Sequence, residues 1–192
     1  MQNSHDALRA PSLAFNSMQP TVSARPLTVE GFSPFGQVIS AGLKQGSAAN
    51  QGTAVRFDWC ANLANGRPNA RPNLAVFRST PLHPPIQIRL LERHPQNTQA
   101  FMPMLVSRFL IIAAPNLANG APDLDNLKAF LCAPGQGINY NSGVWHHPII
   151  ALDAAAEFAM LAWEDGTALD CEEYPLEVPV WVTVDSVDAI RR

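Results

Sequence analysis

Charge is scarce in this sequence: Asp, Glu, Lys and Arg make up 15% of its 192 residues, and the formal net charge is only -3. That balance gives no electrostatic reason to bind a polyanion or an anionic bilayer, so nucleic acid and membrane surfaces are set aside as partners. Cysteine is scarcer still. The three present, Cys60, Cys132 and Cys171, lie far apart with no CxxC pair. This excludes a disulfide framework and a structural zinc site, and the expected location is the reducing cytoplasm. No apolar run approaches membrane-spanning length, and the opening MQNSHDALRAPSLAF carries an acidic residue and no sustained apolar stretch, unlike a secretory signal.

Proline is plentiful, with 17 residues. It punctuates a series of short apolar runs, LAVFRS, IQIRLLE, QAFMPM, RFLIIAA, KAFLCA, HHPIIAL and VPVWVTV. Short strands with turn punctuation predict an all-β barrel or sandwich, because proline is costly inside helices and concentrates in turns and at sheet edges. Residues 1–23 mix Ser, Asn, Pro and Ala without a period and are expected to form a flexible extension ahead of one domain over residues 24–192. Thr28 is placed to cap a short helix through Val29, Glu30 and Phe32, followed by a first strand at Gln37–Ser40. The segment Asp153–Trp163, DAAAEFAMLAW, fits a helix as well as a strand.

Two segments gather the chemistry-bearing residues. In LERHPQNTQAF, Glu92 and His94 are two apart and share a face if the segment is extended, and Gln99 returns to that face after the turn at Pro95–Thr98. A carboxylate, an imidazole and an amide form a donor set for a divalent cation. The alternative leaves Glu92 paired with Arg89 or Arg93 at the surface and His94 capping a turn. In GINYNSGVWHHP, the residues Asn139, Tyr140, Asn141, Trp145, His146 and His147 crowd into one stretch. Alternation lets only one of His146 and His147 enter a given pocket. Tyr140 is either a satisfied buried hydroxyl or a proton donor, and Trp145 is expected to pack.

These segments resemble the signatures of the ureidoglycolate lyase family, cupin-type β-barrels of allantoin breakdown. The similarity covers LERHP, TQAFMPM, the turn from Gly135 to Tyr140 and GVWHHP, with weaker likeness in PLTVEGFSPFGQVI, VRF, VFR and the DCEE at Asp170. The resemblance implies a cupin-type, jelly-roll-like barrel with a few short helices that cleaves ureidoglycolate to glyoxylate and urea. It implies a divalent metal such as nickel, manganese or zinc held by Glu92, His94, Gln99 and His146, with His147 as the second choice of ligand. It casts His147 or Tyr140 as mover of the proton, and Arg56, Arg78 and Asn139 as substrate-binding groups. A small-molecule substrate and a homodimer are the expected partners, the dimer burying exposed strand edges and the apolar VPVWVTV run. The chain departs from the family pattern where Asn141 and Ser142 replace His-Arg, Ala162 and Trp163 replace Asp-Arg, and Asp58 replaces His. A cupin acting on another ureido or hydroxy acid, and a non-catalytic binding protein of the same fold, are the competing readings.

Overall fold

The computed structural model describes residues 19–185. Fourteen strands follow one another with almost no helix between them. They are β1 (Thr21–Ser23), β2 (Arg25–Pro26), β3 (Gly36–Ile39), β4 (Ser47–Ala49), β5 (Ala54–Arg56), β6 (Arg71–Ser79), β7 (Ile86–Arg93), β8 (Gln99–Leu105), β9 (Phe109–Ala114), β10 (Lys128–Cys132), β11 (Gly137–Tyr140), β12 (Trp145–Ala151), β13 (Ala156–Glu164) and β14 (Glu172–Thr183). The single α-helix among the described residues, α1 (Val29–Phe32), is held as expected: the Thr28 hydroxyl accepts from the Gly31 N–H, and Phe32 is buried.

The strands form a large sheet in the order β1-β14-β7-β12-β9-β10-β2, a smaller sheet in the order β3-β11-β8-β13-β6, and the hairpin β4-β5. The large sheet is rolled, because consecutive strands β1 and β2 pair in parallel with its two far members, β14 and β10. The backbone of Ala24 donates to Thr183 and that of Leu27 to Leu131, which stitches the roll shut. One apolar cluster, with Phe32, Phe109, Ile111, Ile138, Phe158 and Met160, draws its residues from both sheets. A second, with Ile88, Leu91, Leu110, Ile112, Trp145 and Val182, takes the other face of the large sheet. The architecture is the all-β, cupin-type barrel the resemblance implied.

Two expectations are corrected, and one left open is resolved. Thr21–Ser23, expected within the flexible extension, is instead β1, in register with Trp181–Thr183; residues 1–18 lie outside the described residues. The ambiguous segment becomes strand β13 between β6 and β8. Its strong helix formers are overridden because Ala156, Phe158, Met160 and Ala162 recur at every second position and all are buried. The run VPVWVTV does not offer a free edge to a partner, because β14 is paired with β1 on one side and β7 on the other.

Candidate active site

Strand β12 lies antiparallel to β7 with His146 directly opposite Glu92. Directly opposed residues share a face with Cβ atoms roughly 5 Å apart, so both side chains turn the same way. That face is the inner one, since His146 is also opposite Ala113 of the cluster shared by the two sheets. His94 follows Glu92 by two residues. From the smaller sheet, β8 and β11 set Gln99 opposite Tyr140, beside the inward pair Phe101 and Ile138. Five polar groups thus meet between the sheets, with His94, Gln99, Tyr140 and His146 all buried.

The ligand atoms of Glu92, His94 and His146 lie within 4.8 Å of one another. His146 Nε2 is 3.1 Å from Gln99 Oε1 and 3.6 Å from Glu92 Oε1. Tyr140 stacks on His146 with ring centroids 4.1 Å apart and planes at 14°. The His94 ring lies 5.5 Å from that of His146.

The tautomers follow from the acceptors behind the rings. His94 Nδ1 is 2.7 Å from the Asp170 carbonyl and His146 Nδ1 is 2.9 Å from the Val144 carbonyl. A carbonyl only accepts, so each Nδ1 carries a hydrogen and each neutral ring presents a bare Nε2 to the interior. His94 Nε2 is buried and unpartnered, as is the Tyr140 hydroxyl. Burial, followed by the charge of His146, pushes the His94 pKa down, which keeps its lone pair free. Burial works to raise the Glu92 carboxyl, yet the contact with His146 and the fields of His146, His94 and His147 outweigh it and hold it below the ordinary value. Tyr140 stays a neutral phenol, because burial, with Cys132 and Glu92 adding to it, pushes its pKa well up.

With both rings neutral, two imidazole lone pairs, an ionised carboxylate and an amide oxygen converge with no donor among them. Such a set repels itself unless a positive charge, a metal ion or a proton on His146 Nε2, sits inside it. Two ligands each about 2.1 Å from a tetrahedral ion lie about 3.4 Å apart, so the three atoms would have to draw together to hold one. The donor set suits a divalent metal ion.

The remaining sequence-derived candidates fall elsewhere. His147, expected to move a proton or serve as second ligand, is opposite Ile112 and shares the face of Trp145 in the second apolar cluster. Strand alternation turns it away from the triad, and its Nδ1 donates to the Pro148 carbonyl at 2.7 Å. Asn139, expected to bind substrate, neighbours Tyr140 and so points outward, where its amide donates to Gln37 Oε1 at 2.8 Å and to the Asn62 carbonyl at 3.3 Å. Arg56 and Arg78 are exposed and paired with Asp58 and Glu157, each at 2.7 Å, with 70% and 82% of their side chains accessible. Arg78 sits on the outer face of β13 and β6, opposite Glu157. Sequence reasoning missed Arg67, Asp170 and Cys171, which stand behind the triad: Asp170 holds His94, and the Cys171 thiol lies 3.9 Å from Glu92 Oε2.

A family model described as ureidoglycolate lyase matches residues 19–183. The chain belongs to the ureidoglycolate lyase family. The ureidoglycolate lyase of Burkholderia cepacia is 41% identical over 159 residues, spanning 82% of this chain and 88% of that protein. Those of Pseudomonas syringae pv. tomato and Burkholderia mallei are each 36% identical, spanning 82% and 88% of this chain and 91% and 98% of their own lengths. Among solved structures, a dTDP sugar isomerase from Desulfovibrio desulfuricans G20 aligns over 75% of this chain and 87% of its own with a TM-score of 0.47 and 16% identity. Membership makes the protein an enzyme of the lyase type acting on a small molecule. Among the described residues, no helix is long and apolar enough to cross a membrane.

Proposed function

We propose that the protein cleaves ureidoglycolate to glyoxylate and urea, with Glu92, His94, Gln99, His146 and Tyr140 as the working residues. The observation that carries this reading is the inward convergence of Glu92, His94 and His146 beside an unpartnered Tyr140 hydroxyl, in a member of this family. Ureidoglycolate is a carbinolamide, and its cleavage moves one proton from the hydroxyl oxygen to the departing nitrogen. The C–N bond breaks with its electron pair on nitrogen while the O–H pair becomes the new carbonyl bond. Tyr140 performs the transfer: its oxygen accepts the hydroxyl proton as its own proton passes to nitrogen, so no net charge is left on the phenol. Stacking on His146 holds the phenol in place.

Glu92, His94, His146 and Gln99 would hold a divalent metal, which when bound supplies a Lewis acid that acidifies the substrate hydroxyl. The substrate carries a carboxylate, and an anion entering beside Glu92 needs a cation; Arg56 is exposed and paired with Asp58, and Arg78 is on the outer face, paired with Glu157. Outside the site, the three free thiols fit a cytoplasmic enzyme. The homodimer contact lies on the outer face of the smaller sheet, where Leu74, Val76, Met102, Met104 and Leu105 are all exposed. Val76→Glu is expected to yield a monomer by light scattering, and an unchanged mass rules this face out.

The test of the function is release of glyoxylate and urea from ureidoglycolate, with and without added nickel, manganese or zinc, for the parent protein and for Glu92→Ala and His146→Ala. Folded variants that keep the parent rate overturn the assignment. A panel of other ureido and hydroxy acids separates this substrate from its relatives.

A further inference from the structure

Behind His94 lies a tightly bonded loop that the catalytic reading leaves without a role. Arg67 is only 8% exposed, although it is a charged residue. Its guanidinium donates to Asp165 Oδ1 at 3.0 Å, to the Trp163 carbonyl at 3.1 Å and, through a short contact, to Asp170 Oδ1. The Asp170 carboxylate also accepts from the backbone N–H groups of Asp165 at 3.1 Å and Gly166 at 2.7 Å. Asp165 in turn accepts from the backbone N–H and hydroxyl of Thr167. Residues 165–170 are thereby gathered around one buried cation. The free product of this arrangement is the Asp170 carbonyl, which accepts from His94 Nδ1 at 2.7 Å.

We propose that Arg67 is a positioning residue: by gripping Asp165 and Asp170 it presses the Asp170 carbonyl against His94 Nδ1 and keeps the His94 Nε2 lone pair turned into the site. An imidazole chooses between two tautomers, and a fixed acceptor on one nitrogen decides which nitrogen is bare. Without the guanidinium, two carboxylates face each other with no cation between them, and the loop opens. A lysine cannot replace it, since one ammonium does not reach two carboxylates and a carbonyl in the planar fork that Arg67 uses. The inference rests on Glu92, His94 and His146 being the working site, but not on the identity of the substrate.

The test reads the His94 ring by nitrogen NMR and zinc affinity by competition with a chelator, in the full chain. The parent protein is expected to show Nδ1 protonated and Nε2 bare. Arg67→Ala is expected to show a mixture of tautomers and a zinc affinity lowered by about 10- to 100-fold. Millimolar guanidinium chloride restores both by filling the vacated space, and Arg67→Lys restores neither in full. Arg108→Ala, which removes the surface pair with Asp153, leaves both readings at the parent value. If Arg67→Ala does not fold, Asp165→Asn is read in the same way. A folded Arg67→Ala with the parent tautomer, or an equal change in Arg108→Ala, overturns the proposal. A shifted tautomer in a protein that never cleaves ureidoglycolate overturns the functional reading instead and leaves this one standing.

Discussion

The two faces of β12 differ by one residue and do different work. On the inner face, His146 meets Glu92, Gln99, Tyr140 and the ring of His94. On the other, Trp145 lies with Leu91, Ile112 and Ala114 in an apolar layer, and the half-buried His147 shares that face. Two adjacent histidines of identical chemistry are thus turned to opposite faces of the sheet, His146 into a polar pocket and His147 away from it. Burial pushes the His147 pKa down, which favours the uncharged ring. The contrast shows that the tandem histidines are not a bidentate unit, and that the strand's two-residue period decides which of them reaches the polar pocket.

The largest break in this contrast is expected from His146→Ala, which removes a lone pair from the converging set and the platform under Tyr140. Turnover should fall to background, and bound metal measured by elemental analysis should fall with it. Tyr140→Phe should come next, with kcat lowered by about 10² to 10⁴. Its melting temperature should not drop, because the hydroxyl has no partner to lose. A Tyr140→Phe enzyme with the parent kcat removes the phenol from the proton path. His147→Ala should do the reverse: a loss of about 1–2 kcal/mol in urea unfolding from the space left in the packed layer, with kcat near the parent value. Arg78→Ala should be smallest, within about 0.5 kcal/mol in stability and without effect on KM, since an exposed ion pair contributes little. A raised KM in that variant would return Arg78 to the substrate.

Much of this was legible because the strand period is short and the site sits on strands. The two-residue spacing of Glu92 and His94, the return of Gln99 after a turn, and the separation of His146 from His147 all follow from alternation. Alternation does not set its own phase, however. Asn139 and Tyr140 were both placed at the site, yet consecutive residues face opposite ways, and only the pairing of Tyr140 with Gln99 says which is inside. In β13 the alternating burial was present in the sequence but was masked by residues that also favour helix. The role of Asp170 was hidden for another reason: its backbone carbonyl, not its side chain, holds His94, and no pattern of residue types reports a carbonyl's direction.

The pairing of β1 with β14 ties the first described strand to the last, Thr21 beside Trp181 and Ser23 beside Thr183. On the ribosome the described part of this domain cannot be completed in instalments, because the first described strand waits for the last. Contacts spanning nearly the whole chain slow folding. A chain cut before β14 therefore loses β14 and, with it, the partner of β1 at the same end of its large sheet, and β7 is left with one edge bare.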